Sequence, residues 1–104
     1  MALTRSVIMF NFRRAQQQAE ELDEIADSLS RMAKNDFENT MQNVAAAWKG
    51  ENASKYLIKG DKLQGNMCST AQSLRGIAAD IRKVARRIYE AEMAALAIAE
   101  ERKY

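Results

Sequence analysis

The segment AAAWKGEN, residues 45–52, lies at the middle of the 104-residue chain and decides how the chain folds. Gly50 takes a positive φ without steric cost, so it is the natural residue at which a helix ends and the chain reverses. Glu51 and Asn52 suit the start of a second helix, Glu51 against the positive end of the helix dipole and Asn52 as the N-cap. We therefore predict a turn at residues 49–51 between two helices.

Apolar residues recur at steps of three or four on both sides of this turn, which is the period of one helix face. We predict a first helix over about residues 11–48, with Asn11 as its N-cap, and a second helix over about residues 52–100. Residues 1–10 are expected to form an extended or irregular arm, and a short tail follows the second helix. The larger members of the two stripes, expected in the core of the hairpin or of a dimer, are Leu22, Leu29, Phe37, Met41, Val44, Leu63, Met67, Leu74, Ile77, Ile81, Val84 and Ile88.

Two long helices touch along a single line, so a lone hairpin leaves part of each apolar stripe exposed to water. Ile25, Met32, Ala78 and Ala85 flank the stripes and widen them toward the roughly 100° arc of a helix with more than one neighbour. The predicted fold is all-α: an antiparallel two-helix hairpin, one domain over residues 1–104, that dimerises into a four-helix bundle.

The composition argues against an enzyme. The chain has no His and a single Cys, Cys68, which excludes His-dependent catalysis, an intrachain disulfide and metal centres built from several His or Cys. Paired acids such as Glu20 and Glu24 are predicted on a solvent-facing stripe, which implies no pocket. We predict no catalytic, cofactor or metal site, and we expect Cys68 to be a partly buried structural thiol.

The charged residues form two clusters that are expected to be solvent faces of the helices. An acidic cluster lies within residues 20–27, and a basic cluster comprises Arg82, Lys83, Arg86 and Arg87. Alternatively, the two clusters face each other across a dimer and fix its register. The net charge of +2 is lower than that of most dedicated nucleic-acid domains, so no nucleic acid is expected as a partner.

The N-terminal sequence does not have the pattern of a cleavable signal peptide, because its apolar run is short and basic residues follow it. The longest apolar stretch, residues 93–99, is far below the ~20 residues that a membrane-spanning helix needs. We therefore expect a soluble chain made in the cytoplasm, whose export, if any, uses a route without a cleavable signal.

The motif Trp48-Lys49-Gly50, placed between two long amphipathic helices in a chain of 104 residues without Pro, resembles the WXG family. This family of small secreted proteins is also called the Esx or early-secreted-antigenic-target-like family. The resemblance covers essentially the whole chain and includes Asn11-Phe12, the alanine run 45–47 and Tyr56-Leu57. It implies a hairpin that dimerises head-to-tail, as a homodimer or as a heterodimer with a related WXG-type protein.

The resemblance also implies a function. It indicates a non-enzymatic protein of a Gram-positive bacterium, exported folded by the type VII (Esx) secretion machinery and found outside the cell or at its surface. Trp48 and Gly50 would then form the turn motif that contributes to recognition by this machinery, whose motor is a membrane ATPase. The dimer would act as an export substrate, and a larger co-secreted toxin is a further partner that the resemblance suggests.

One part of the family pattern is altered. Family members often carry a C-terminal export signal, Tyr followed four residues later by Asp or Glu, but Tyr89 is followed at that spacing by Met93. Glu92 lies three residues after Tyr89. Either Tyr89 and Glu92 form a variant of the signal or the partner chain supplies it; the alternative is that Tyr89 is a surface aromatic residue beside Ile88.

A function of a different class remains open at this point. The basic cluster could serve a cytoplasmic helical protein that binds nucleic acid or an anionic membrane surface. Against this, acidic residues follow the basic cluster closely along the helix, and no aromatic residues alternate with the basic ones to stack on bases.

Overall fold

The computed structural model describes residues 4–102, and over these residues it contains helices and turns but no strand. Three helical segments follow one another without a break and form the first arm, and a single long helix forms the second. A short turn joins the two arms, which confirms the predicted helical hairpin. The segments are α1 (Arg5–Arg31), a π-helical segment (Met32–Phe37), α2 (Glu38–Ala47) and α3 (Glu51–Glu101).

Helix α1 begins earlier than the sequence predicted. The expected irregular arm at residues 1–10 is wrong beyond Thr4, because the chain is helical from Arg5 onward. The Oγ1 atom of Thr4 accepts a hydrogen bond from the backbone N–H of Val7 at 3.2 Å, which satisfies a donor of the first turn. Residues 1–3 of the predicted arm and residues 103–104 of the predicted tail lie outside the described residues.

The turn occupies residues 48–50, one residue earlier than predicted. Trp48 leaves the helix with an extended backbone (φ −108°, ψ 138°), and Gly50 has the positive φ expected of it, +109°. Helix α3 starts directly after Gly50, whose carbonyl accepts a hydrogen bond from the Ser54 N–H at 3.2 Å. Gly50 therefore holds the N-cap position, and the prediction of Asn52 as the N-cap is wrong.

The chain divides into two compact units, each built from a stretch of the first arm and a stretch of α3. Unit 1 combines the residues up to Leu22 with the residues from Gly76 onward, and unit 2 comprises residues 23–75. The predicted single domain stays a prediction, and each unit is described by itself.

The core of each unit consists mainly of small residues. On the first arm and on α3 they recur at intervals of seven, as in Ala26 and Ala33 and in Ala78 and Ala85. Alanine side chains let two helix axes approach more closely than larger side chains would. We call the buried residues of each unit its contact line. Its members are Ile8, Ala19, Ala78 and Ala85 in unit 1 and Ala26, Ala33, Ala53, Gly60 and Ala71 in unit 2.

The larger apolar residues predicted for the core lie beside the contact line. None of them is fully buried in the hairpin, because alanines occupy most of the contact line, and eight of the twelve are half-buried beside it. Their assignment to the core of a dimer stays a prediction. The half-buried members are Leu22, Leu29, Phe37, Met41, Val44, Met67, Leu74 and Ile81, and the exposed members are Leu63, Ile77, Val84 and Ile88.

The π segment interrupts what the sequence predicted as one continuous α-helix. The stripe takes three consecutive steps of four here, from Leu29 through Ala33 and Phe37 to Met41, which at about 100° per residue rotate it by roughly 120°. The wider π turn advances fewer degrees per residue and so reduces this drift. Ala33 is fully buried, and Phe37 and Met41 are half-buried.

Replacing Gly65 or Gly76 by Ala is expected to raise the free energy of unfolding by about 0.5–1 kcal/mol each. Both glycines lie inside α3, and a Cβ at either position would have open space around it. Gly60 is the comparison, because a Cβ there would overlap the thioether end of Met41 and the gain should be smaller. Urea unfolding followed by circular dichroism measures all three, and a loss of stability in Gly65→Ala would contradict the prediction.

Candidate functional site

The first candidate surface lies on α3 in unit 1. Ile77, Val84 and Ile88 are about half exposed, and Ile81 is half-buried between them. Steps of three and four place all four on one helix face, and with Ala15 of α1 they line an open groove of about 360 Å³. We call these four α3 residues the unit 1 apolar face.

Unit 2 exposes apolar side chains on both of its arms. Ile25 and Met32 each directly precede a buried alanine, and Leu63 follows the buried Gly60 by three residues. On each helix these offsets turn the side chain away from the contact line in the same sense. The first arm and α3 run antiparallel. A displacement in the same rotational sense about each helix axis therefore brings Ile25 and Met32 of the first arm to the same side of the unit as Leu63 of α3. We call Ile25, Met32 and Leu63 the unit 2 apolar face.

Rows of half-exposed aliphatic side chains favour a docking surface over a solvated one. Completing the burial of one half-exposed Val, Leu or Ile contributes about 1 kcal/mol. Each apolar face therefore offers several kilocalories per mole to a partner that covers it.

The second candidate surface is the turn. Trp48 is 54% exposed, and its ring packs against the exposed Tyr56 with ring centroids 5.8 Å apart and a tilt of 57°. The sequence predicted a first helix that ends at about residue 48, but α2 ends at Ala47 and Trp48 already has an extended backbone. The turn thus presents a large aromatic side chain to solvent.

The third candidate site is formed by Tyr89 and Glu92, the pair predicted as a variant export signal. The ring of Tyr89 stacks on Phe12 with centroids 4.6 Å apart and planes at 30°. Tyr89 and Glu92 are both half-buried, and with Ile8 they line one small groove of about 120 Å³ in unit 1. Tyr89 is therefore packed between the arms rather than a purely surface aromatic residue, and its use as a signal stays a prediction.

One polar side chain that the sequence analysis missed crosses between the arms of unit 2. Gln64 Nε2 donates hydrogen bonds to the carbonyl oxygen of Ala33 and to Glu38 Oε2, each at 2.7 Å. Both partners are acceptors, which matches the two donors of the amide nitrogen. Ala33 belongs to the π segment, where a side chain inserted at the helix backbone stabilises a local departure from α geometry.

Replacing Gln64 by Leu is expected to lower the free energy of unfolding by about 1–2 kcal/mol, because Ala33 and Glu38 lose a donor in a partly buried place. The matched control is Gln72→Leu, which makes the same chemical change at an exposed position of α3. Urea unfolding of both variants checks the prediction. Equal stability of Gln64→Leu and Gln72→Leu would refute it.

The charged clusters lie where the sequence predicted. All four residues of the basic cluster are exposed, on the side of α3 opposite the unit 1 apolar face, and only Asp23 of the acidic cluster is half-buried. The use of the basic cluster for nucleic acid or anionic membranes stays the alternative hypothesis. Cys68 is half-buried, as expected.

Within residues 4–102, no group of three or more His, Cys, Asp or Glu is placed to hold a metal ion. None of the helices in this described part has an apolar stretch long enough to cross a membrane. The chain matches no family model, no characterised protein and no solved structure.

Proposed function

We propose that the chain is a WXG-type export substrate: a non-enzymatic helical hairpin that is recognised by a type VII secretion machinery at the turn. The exposure of Trp48 carries the proposal. The ring stands outside both helices at the elbow of the hairpin, 54% exposed and beside the exposed ring of Tyr56. Aromatic side chains presented in this way suit partner recognition, because they bury a large area at a small entropic cost.

The apolar faces support the dimeric part of the proposal. In each unit the contact line is filled by small side chains, while larger aliphatic residues remain half exposed beside it. A second hairpin, either another copy or a related WXG-type chain, covers such residues in a four-helix bundle. Dimerisation would bury the aliphatic side chains that remain half exposed beside the alanine contact lines.

Export would place the protein outside the cell or at its surface, with the membrane ATPase of the secretion machinery as a transient partner. Tyr89 and Glu92 border one groove of unit 1, an arrangement that a variant of the C-terminal export signal could use. Co-export with a larger toxin would require a further surface of the dimer that binds it.

Replacing Trp48 by Ala is expected to reduce the amount of protein in the culture medium at least tenfold, with the variant accumulating inside the cells. The reason is that the exposed indole is the proposed contact with the machinery, while its loss removes little from the core. Fractionation of cells and medium by immunoblot, in a host with a type VII system, measures the effect.

The matched control is Ile58→Ala, which truncates another exposed apolar residue of unit 2 outside the turn motif. This variant should be exported like the wild type, and circular dichroism should show both variants folded. Absence of the wild-type protein from the medium, or unchanged export of Trp48→Ala, would count against the proposal.

A further inference from the structure

Three cationic side chains converge on one open cleft of unit 2. Arg31 and Lys34 come from the first arm and Arg75 from α3. The cleft measures about 220 Å³, and Asp27, Ser30 and Asn35 complete its lining. Three positive charges against the one carboxylate leave the cleft with a formal charge of +2.

The two guanidinium groups are held by neighbours on the first arm. Arg75 Nη2 donates to Asp27 Oδ1 at 3.0 Å, and Arg31 Nη2 donates to Ser28 Oγ at 3.4 Å. A guanidinium has five N–H donors, so each retains several for a ligand. Within the described residues, neither Arg31 nor Lys34 forms an ion pair.

The local helix geometry adds further donors to the same cleft. Arg31, Lys34 and Asn35 all line this cleft and therefore share one side of the first arm. The π segment begins directly after Arg31 and carries both Lys34 and Asn35. An ammonium and a side-chain amide thus join the two guanidinium groups.

We propose that this cleft binds a phosphoryl group, either free in solution or carried by a lipid headgroup. Guanidinium forks match the paired oxygens of phosphate, and a doubly charged oxyanion balances the +2 of the cleft. A single carboxylate would carry one negative charge, half of what balances the cleft, and would occupy only one of the two guanidinium groups. The export proposal makes no use of this cleft, so the two stand independently.

The test is a titration of the ¹⁵N-labelled full chain with sodium pyrophosphate at low ionic strength, followed by NMR. Saturable shifts are expected at the side-chain N–H groups of Arg31, Arg75 and Asn35. The double variant Arg31→Gln/Lys34→Gln should weaken binding at least tenfold. Sodium chloride at equal ionic strength should not reproduce the shifts.

The matched control is Arg13→Gln/Arg14→Gln, which removes the same charge from exposed positions of unit 1. It should weaken pyrophosphate binding less than threefold. Equal weakening by the two double variants would overturn the proposal, since binding would then follow net charge alone.

A second arm distinguishes the sources of the phosphoryl group. Sedimentation with phosphatidylcholine vesicles that contain a phosphoinositide, lost in Arg31→Gln/Lys34→Gln, would assign the lipid headgroup. Saturable pyrophosphate binding without vesicle binding would assign a soluble phosphate. Failure to bind either probe would overturn the proposal.

Discussion

Replacing Ala78 by Leu is expected to lower the free energy of unfolding by about 2–3 kcal/mol, the upper part of the range for overpacked cores. Ala78 is 0% exposed and lies in the contact line of unit 1. Three added carbon atoms have no room there unless the paired helices separate. A hairpin with so small a core has little stability to lose.

The neighbouring Ala79→Leu is the matched control, because Ala79 is exposed on the same helix. Leu and Ala are both strong helix formers, so this variant should stay within about 0.5 kcal/mol of the wild type. Thermal and urea unfolding of both proteins measure the difference. Equal stability of the two variants would show that the contact line tolerates large side chains.

The hairpin itself could be predicted from the sequence, because its signals are local. Steps of three and four among apolar residues indicate helices, and Gly50 in the middle of the chain supplies the positive φ that the turn requires. The start of α1 also has a local signal, because Thr4 is a residue type that caps helices and its Oγ1 accepts from the Val7 N–H.

The sequence alone does not determine which residues form the contact line. The apolar arc on α3 is wide enough for the partner arm to pack either on its isoleucines or on its alanines. Close packing of the two backbones selects Ala78 and Ala85, which turns Ile77 and Val84 toward solvent. The periodicity of the apolar residues predicts which arc of α3 is apolar. Only the packing of the two helices shows which residues of that arc form the contact line.

The two polar sites depend on residues that are distant in sequence. Gln64 contacts Ala33, which is 31 positions away in the sequence, and Arg75 contacts Asp27, which is 48 positions away. No local sequence pattern predicts either contact. The three consecutive steps of four from Leu29 to Met41 are an irregularity of the first stripe, and the change in helix winding lies within them.

Introducing two carboxylates into the unit 1 apolar face, Val84→Glu/Ile88→Glu, is expected to weaken dimerisation at least 100-fold. Both side chains are about half exposed in the hairpin, so the monomer can keep its helices while a covering partner would have to bury two charges. Sedimentation equilibrium over a concentration series measures the dissociation constant, and circular dichroism checks the helix content.

The control must separate the loss of an apolar contact from a change in net charge. Gln16→Glu/Gln17→Glu adds the same two negative charges to unit 1 at exposed positions of α1 outside the apolar face. If it dimerises within about threefold of the wild type, long-range charge repulsion is too small to explain the 100-fold effect. A wild-type chain that stays monomeric at every concentration, or a Val84→Glu/Ile88→Glu variant that dimerises like the wild type, would mean that this face is not where two hairpins meet.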